Sequence, residues 1–194
     1  MIVIKYALIL CQEEIINRLN LLAMAEMRYP IIVVIGNGMV GYKFCEKLVA
    51  RRRPFQIIVF GEDLRLSTSG WYRENHIRLH LGDPVSRIDR VNKTVFSLKG
   101  KVQKYDYLVI STGGGICVDD SLQTSDPFTF AIGECALHRG TIYSQLAPGY
   151  EMADVVVSNL CGEDKSFTGF DMSNRLKLAG LSITGSPYPW MREA

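Results

Sequence analysis

The sequence predicts an α/β protein: a parallel sheet with helices, in which an antiparallel β-meander replaces one helical crossover. Three apolar runs support the parallel sheet, IIVVI at 31–35, FQIIVF at 55–60 and YLVIST at 107–112. Apolar runs of this length are typical of strands that are buried on both faces. A helical repeat between the first two runs, and three short alternating segments before the third, complete the pattern.

The first two strands and the segment between them form a predicted βαβ unit. Residues 40–53 place Val40, Phe44 and Leu48 on one helical face, and Pro54 follows the end of this helix. The connection between the two parallel strands should therefore be right-handed.

Shorter segments predict the rest of the fold. VSRIDR, KTVFSLKG and KVQKYD alternate polar and apolar residues around turn positions, which indicates the meander. IRLHLG, at 77–82, supplies a third strand after a polar stretch at 64–75. A strand at 128–132 and a helix at 148–160, closed by Gly162, complete the domain.

The chain divides into three predicted regions. Residues 1–30 form an extension that contains a helical repeat, residues 31–162 form the main domain, and residues 163–194 form a C-terminal tail. The end of the tail, with SPYPW, has no periodicity and is expected to be loosely ordered.

Composition excludes several classes of function. With 22 Lys and Arg against 20 Asp and Glu, the net charge of +2 argues against nucleic-acid binding. The five cysteines are scattered and contain no C-x-x-C, which argues against a disulfide framework, a zinc site or an iron–sulfur cluster. The apolar start MIVIKYALILC is too short to span a bilayer. We expect a soluble cytoplasmic protein without a membrane partner.

The stretch Gly36-Asn37-Gly38-Met39-Val40-Gly41 connects the first strand to the first helix. In a G-x-G-x-x-G turn the first glycine permits the tight turn and the second lets a pyrophosphate approach the backbone. The third allows the helix to pack closely on the sheet. The N-terminus of the helix then offers unpaired N–H groups to the phosphates. The motif therefore predicts a Rossmann-like dinucleotide site with binding residues Gly36, Gly38, Met39, Val40 and Gly41.

An acidic residue follows the second strand. Glu62 lies 26 residues beyond Gly36, where a carboxylate can accept hydrogen bonds from an adenosine ribose. The alternative, a solvated or helix-capping Glu62, is less consistent with this position. The motif by itself leaves the choice between NAD and FAD open.

The meander followed by YDYLVISTGG resembles the FAD domain of the two-dinucleotide-binding flavoprotein reductases. In that family the strand before a Thr-Gly turn passes close to the cofactor, and Thr112 and Gly113 match this turn. The stretch TSDPFTFAIGECALHRG resembles the second FAD signature of the family, with Gly133 and Glu134 at the ribityl chain. The helix at Pro148 would then point its positive end at the flavin ring.

Longer strings narrow the resemblance. VVIGNGMVG, GWYRENHIRLHLGDPVSRIDR, VDDSLQTSDP, FAIGECALHRG and APGYEMA resemble the large subunits of assimilatory NAD(P)H-dependent nitrite reductases over most of residues 31 to about 180. The resemblance implies a flavoprotein oxidoreductase of nitrate assimilation, with FAD as its cofactor and NAD(P)H as the hydride donor of a complete relative.

The sequence also departs from this family. The family inserts a nicotinamide-binding domain after the Thr-Gly turn, whereas residues 113–115 here run directly into Ile116 and no second G-x-G-x-x-G occurs. A loop that covers FAD in the family is shortened between Ser67 and Gly70, and the cysteine-rich and sirohaem portions have no counterpart. Two hypotheses remain: an FAD-binding oxidoreductase module, and a folded remnant or dinucleotide-binding module without turnover.

Histidines and cysteines provide no separate catalytic site at this level. His76 and His80 are four residues apart, but they converge only on a helix and IRLHLG predicts a strand. We expect His138 to be a loop histidine without a special task, and Cys135 to be a small buried residue rather than a redox partner. No catalytic residue and no metal ligand are predicted.

Overall fold

The computed structural model describes residues 28–62, 66–171, 174–178 and 181–185. The chain forms two compact units, Met1–Pro30 and Ile31–Ala194. The helix predicted within residues 1–30 and the SPYPW segment lie outside the described residues.

The second unit contains the following elements in chain order: β1 (Ile31–Ile35), α1 (Met39–Ala50), β2 (Gln56–Gly61), α2 (Ser69–Glu74), β3 (Arg78–Leu81), β4 (Val85–Asp89), β5 (Thr94–Ser97), β6 (Val102–Lys104), β7 (Tyr107–Ile110), β8 (Ile116–Val118), β9 (Thr129–Ala131), a 3₁₀ turn (Gly133–Cys135), β10 (Ala136–His138), β11 (Thr141–Ile142), α3 (Leu146–Leu160), β12 (Asn174–Leu178) and β13 (Leu181–Gly185).

The main sheet is parallel, with the strand order β3-β2-β1-β7-β9. One face packs against α1 and α3 through a cluster that includes Ile32 and Val34, and the opposite face packs against the meander through Val33. Successive residues of β1 thus point to opposite, equally buried faces, as a continuous apolar run predicts. The predicted α/β class is confirmed.

The meander is also confirmed. Strands β4, β5 and β6 pair antiparallel in that order. Val95 is fully buried against the sheet, together with Tyr105 and Leu108. The meander therefore covers the face of the sheet that a helix would otherwise cover.

Several element boundaries differ from the predictions. The first helix ends at Ala50 instead of 53, because the N–H of Arg51 bonds back to the carbonyl of Leu48 and closes the last turn. The strand predicted at 107–112 ends at Ile110. The last helix begins at Leu146, and Pro148 is tolerated at its third position because the first N–H groups of a helix lack intrahelical partners.

The sequence also missed some elements. The predicted polar stretch contains α2, whose cap is the Thr68 side chain accepting from the N–H of Trp71. The small sheet β11-β10-β8 and the hairpin of β12 and β13 were not predicted either. Core packing continues past residue 162, since Phe167 is fully buried and donates its N–H to the carbonyl of Asp120 at 2.7 Å. The division of the chain at 162 remains a prediction.

Candidate functional site

The candidate site lies at the carboxyl ends of the parallel strands. The chain passes from β1 through α1 to β2 on one side, whereas β7 pairs with β1 on the other side. The strand order therefore reverses at β1, and such a switch point opens a crevice in which α/β proteins bind ligands.

Each glycine of the turn after β1 has a different structural role. Gly36 has a positive φ of 111°, and a Cβ there would lie 2.0 Å from the carbonyl oxygen of Ser111. A Cβ at Gly41 would lie 2.2 Å from the carbonyl oxygen of Gly36. A Cβ at Gly38 would meet nothing within 4 Å. Gly36 and Gly41 thus make the turn and its packing possible, whereas Gly38 leaves space above the backbone.

The N-terminus of α1 faces this space without a capping side chain. Gly38 is the N-cap residue, its position offers no side-chain cap, and the first turn contains no acidic residue. The N-cap residue therefore contributes no side chain that competes for the first N–H groups of the helix, which together with the helix dipole favour an anion.

Two cavities flank the glycine turn. Cavity A has a volume of about 360 Å³ and extends from the turn to Glu62, between the ends of β1, β2 and β7. Its lining includes the predicted site residues Gly36, Gly38, Glu62, Thr112 and Gly113. Phe60, Pro84 and Val85 add an apolar wall.

Cavity B lies at the N-termini of α1 and α3 and has a volume of about 250 Å³. It shares Gly38, Ser111 and Thr112 with cavity A, so the two cavities adjoin. Its remaining walls include the predicted residues Met39, Val40, Gly133 and Glu134. Glu62 and Glu134 are both exposed, and each lines only one of the two cavities, Glu62 cavity A and Glu134 cavity B.

Two predicted site residues do not line either cavity. Gly41 is buried under the glycine turn, where it permits the close approach of α1. Pro148 is buried in the first turn of α3. Both support the site from beneath instead of facing the space within it.

Three residues that shape the site are not among the predicted binding residues. Ser111 lines both cavities. A Cβ at Gly61 would lie 2.4 Å from the Cβ of Asn37, so the end of β2 can approach the turn only as glycine. A Cβ at Gly149 would lie 2.6 Å from Cγ2 of Val40, so α3 likewise needs glycine where it meets α1. The glycine of the APGY string was the only sequence signal for that contact.

Cys135 lies directly behind the site and is fully buried. Its thiol donates to the carbonyls of Ile110, at 3.0 Å, and Ile132, at 3.2 Å. Burial raises the pKa of this thiol, which disfavours the thiolate that redox or nucleophilic chemistry requires. Burial also raises the pKa of Cys45 on α1, to about 12. The geometry supports a packing role for both.

The histidines have structural environments. His80 stacks on Phe60 with ring centres 4.8 Å apart, and burial, followed by the charge of Lys101, lowers its pKa. Within the described ranges, no three His, Cys, Asp or Glu side chains form a group suited to a metal ion. His138 is not a loop histidine: it ends β10 and is fully buried. Its Nε2 lies 2.9 Å from the carboxylate of Asp120.

No helix in the described parts of the chain has the length and apolar character needed to cross a bilayer.

Comparison with known sequences supports the predicted resemblance. No family model matches the chain. It is 29% identical over 201 residues to the large subunit of NADH nitrite reductase from Escherichia coli K12, an alignment that covers 88% of this chain. It is 50% identical over 76 residues to the nitrite reductase [NAD(P)H] large subunit of Klebsiella oxytoca, which covers 39% of this chain. The chain spans only 24% and 8% of these two relatives.

Comparison with solved structures confirms the fold. NADH:rubredoxin oxidoreductase from Clostridium acetobutylicum superposes with a TM-score of 0.67 at 14% identity, covering 80% of this chain and 81% of that structure's chain. A covalent putidaredoxin reductase–putidaredoxin complex gives a TM-score of 0.67 at 13% identity, covering 76% and 78%. At these identities the likeness concerns the fold alone. By sequence, the chain is similar to nitrite reductase large subunits, and the match covers about a quarter of the Escherichia coli protein.

Proposed function

We propose that the chain is the FAD-binding module of an NAD(P)H-dependent oxidoreductase related to the nitrite reductase large subunit, and that it acts in the cytoplasm in nitrate assimilation. One observation carries the proposal. The open position above Gly38, at a helix N-terminus whose N-cap residue has no capping side chain, is shared by two adjoining cavities, and one exposed carboxylate lines each of them.

The glycine turn fits a diphosphate. A side chain at Gly38 would project into open space instead of into protein atoms, so only a glycine keeps the backbone accessible from that side. The N-terminus of α1 supplies N–H donors and the positive end of the helix dipole. Residues Gly36 to Gly41 would therefore hold the two phosphates of the cofactor.

The carboxylates of Glu62 and Glu134 suit the hydroxyl-bearing parts of FAD, the adenosine ribose and the ribityl chain, which lie on either side of the diphosphate. Glu62, at the end of cavity A, would accept hydrogen bonds from the adenosine ribose, and Glu134, in cavity B, would accept them from the ribityl chain. Thr112 and Gly113, which follow the end of β7, line cavity A and would lie beside the bound cofactor.

The helix α3 fits the ring end of the cofactor. Its N-cap residue, Gln145, offers no side-chain cap, the first turn carries no acidic residue, and Leu146 lines cavity B. The positive end of this helix would favour the negative charge that reduction places on a flavin ring. FAD, when bound, supplies two-electron redox chemistry, and the residues of this chain bind and orient it.

One observation favours a second candidate, a dinucleotide-binding module without turnover. The sequence contains a single G-x-G-x-x-G, and the glycines at 113–115 lead directly into β8. If FAD occupies the only glycine fingerprint, a nicotinamide donor has no comparable site on this chain. Hydride transfer requires that the donor be held against the flavin ring.

One sample tests the proposal and separates the two candidates. The purified protein is denatured and any released cofactor is identified by chromatography, and flavin-loaded protein is then mixed anaerobically with excess NADPH. We expect released or reconstituted FAD, and no bleaching of the flavin at an enzymatic rate by this chain alone. NAD in place of FAD would contradict the assignment, and bleaching within seconds would show that the chain itself positions the donor.

A further inference from the structure

Two sulfur atoms bond to the backbone around the 3₁₀ turn that carries Glu134. One belongs to Cys135, the last residue of the turn, and the other to Met152 on α3. Both side chains are fully buried, whereas Glu134 is exposed and lines cavity B. The carboxylate that would hold the ribityl chain therefore stands on a short turn whose contacts with the rest of the domain are buried.

The Met152 thioether accepts a hydrogen bond from the turn. The N–H of Gly133, the residue before Glu134, donates to Sδ of Met152 at 3.3 Å across 19 residues of sequence. A thioether is a weak acceptor, but a buried N–H without any acceptor is costly. Leucine has nearly the same volume as methionine and cannot accept this bond. Methionine thus gives the turn a contact with α3 that another apolar side chain of the same size would not give.

The Cys135 thiol bonds on the opposite side, to the end of a strand. Its Sγ lies 3.0 Å from the carbonyl oxygen of Ile110 and 3.2 Å from that of Ile132, and its single hydrogen is shared between the two acceptors. The carbonyl of Ile110 also accepts the N–H of Ile132 at 3.0 Å, which extends the pairing of β7 and β9. The thiol therefore adds a side-chain contact at the point where the backbone pairing of these strands ends.

This contact connects two segments that line cavity B. Ser111 and Thr112 directly follow Ile110 and line the cavity, as does Glu134, which directly precedes Cys135. A shift of the turn would change the position of the Glu134 carboxylate relative to Thr112. Because hydrogen bonds to a carboxylate depend on distance and angle, such a shift would weaken those that Glu134 makes to a ligand.

We propose that Cys135 and Met152 are positioning residues of the dinucleotide site, whose sulfur atoms hold Glu134 in place for the cofactor without contacting the cofactor themselves. The inference rests on the FAD site proposed above. Neither of these two residues lines cavity A or cavity B, so each acts through the turn. The role requires a protonated thiol, and burial raises the pKa of Cys135, which favours that form.

FAD titrations of purified variants test the role of each sulfur atom. Cys135→Ala and Met152→Leu should each weaken FAD binding by about threefold to tenfold, and by no more than Glu134→Ala does. Cys135→Ser keeps a donor and should restore most of the affinity. The matched controls are Cys45→Ala on α1 and Val157→Ala on α3, which remove atoms at other buried positions and should leave FAD affinity unchanged.

A double-mutant cycle separates positioning from a general loss of stability. If Cys135 acts through Glu134, Cys135→Ala should cause no further loss of FAD affinity in a protein that already carries Glu134→Ala. Additive losses would show that the thiol does not act through this carboxylate, and unchanged affinity of the single variant Cys135→Ala would show that it has no effect on the site. Either result would overturn the proposal.

Hydrogen exchange of the cofactor-free protein distinguishes failure of this inference from failure of the FAD assignment. The amides of residues 133–136 should exchange about tenfold faster in Cys135→Ala and Met152→Leu than in the wild type, with no such change in Cys45→Ala. Faster exchange in a protein that does not bind FAD would contradict the proposed function and still support the role of the two sulfur atoms in holding Glu134. Unchanged exchange at residues 133–136 would overturn that role whether or not FAD binds.

Discussion

Glu62 and Glu134 each line one cavity of the candidate site, but different kinds of contact position them. Glu62 follows β2, which pairs with β1 along five consecutive residue pairs, from Ile31 with Gln56 to Ile35 with Phe60. Glu134 lies in a 3₁₀ turn after β9, a strand of only three residues. A regular ladder thus positions one carboxylate, and contacts between distant segments position the other.

The contacts around the 3₁₀ turn show what replaces the ladder. The N–H of Gly133 donates to the thioether of Met152 at 3.3 Å, and the thiol of Cys135 donates to the carbonyl of Ile110 at 3.0 Å. A Cβ at Gly133 would lie 3.3 Å from the side chain of Val40. The Glu134 end of the site therefore depends on packing among α1, β7 and α3.

The largest expected effect comes from disturbing this packing. In Gly149→Ala the new methyl would lie 2.6 Å from Cγ2 of Val40, and a β-branched side chain cannot rotate away freely. We expect a loss of about 1–3 kcal/mol of unfolding free energy, measured by denaturant titration. The matched control is Gly70→Ala on α2, where the nearest atom to the new methyl is 3.6 Å away and no loss is expected.

The double variant Val40→Ala with Gly149→Ala isolates the contact. Removing the two methyl groups of Val40 should relieve the clash, so the double variant should be more stable than the sum of the two single changes predicts. Strict additivity would show that Gly149 is needed for another reason, and the proposed difference between the two ends of the site would lose its support.

A smaller effect is expected when each carboxylate is neutralised. Glu62→Gln and Glu134→Gln keep the shape of the side chain but remove the charge assistance of its hydrogen bonds. Each should lower FAD affinity several-fold, which corresponds to roughly 1 kcal/mol. Because both residues are exposed, the melting temperature of the cofactor-free protein should not change. Glu151→Gln on α3 is the control, and parallel losses of affinity and stability would instead indicate structural caps.

The smallest effect concerns the link between α1 and α3. Asp154 on α3 forms ion pairs with Lys165 and, at 2.8 Å, with Lys47 on α1. Hydrogen bonds from Lys165 and then Lys47 lower the pKa of this carboxyl to about 2. A carboxyl whose folded pKa is depressed stabilises the fold above its unfolded pKa and loses this contribution as the pH falls towards the folded value.

Asp154→Asn should therefore lower the melting temperature by about 2–4 °C at pH 7, because a partly exposed pair contributes up to about 1 kcal/mol. The difference from the wild type should shrink between about pH 4 and pH 2, where the wild-type carboxyl is itself protonated. Glu74→Gln on α2 provides an exposed control. A difference that persists unchanged at pH 2 would mean that the charge of Asp154 is not what stabilises the contact.

Sequence reasoning succeeded where the structure is local. The strand, glycine turn and helix at 31–50 and the meander follow from periodicity and turn chemistry, and the structure has both. It failed for elements whose formation depends on tertiary contacts. α2 packs through aromatic side chains, with the rings of Tyr42 and Trp71 5.1 Å apart. β8 has only three residues, and its partner in the small sheet is β10, about 20 residues further along the chain.

The same limit applies to the candidate site. Nine of the eleven predicted binding residues line cavity A or cavity B. Sequence reasoning could find them because glycine-containing motifs at the ends of strands can be recognised in the sequence alone. Gly149 and Gly61 could not be identified in this way, since the atoms that exclude a Cβ belong to Val40 and Asn37, far away in the sequence. The pairing of the buried His138 with Asp120 likewise exists only in the folded chain.

The central claim is that the open backbone at Gly38 receives the diphosphate of FAD. It is tested most directly by titrating FAD, followed by flavin fluorescence, into the cofactor-free wild type, Gly38→Val and Ala50→Val, which adds methyl groups at an exposed helix position. Because Gly38 has an extended backbone and free space around it, the valine variant should keep its fold and melting temperature. We predict saturable binding to the wild type and to Ala50→Val, and none to Gly38→Val. Equal FAD binding by the folded Gly38→Val protein would contradict the account.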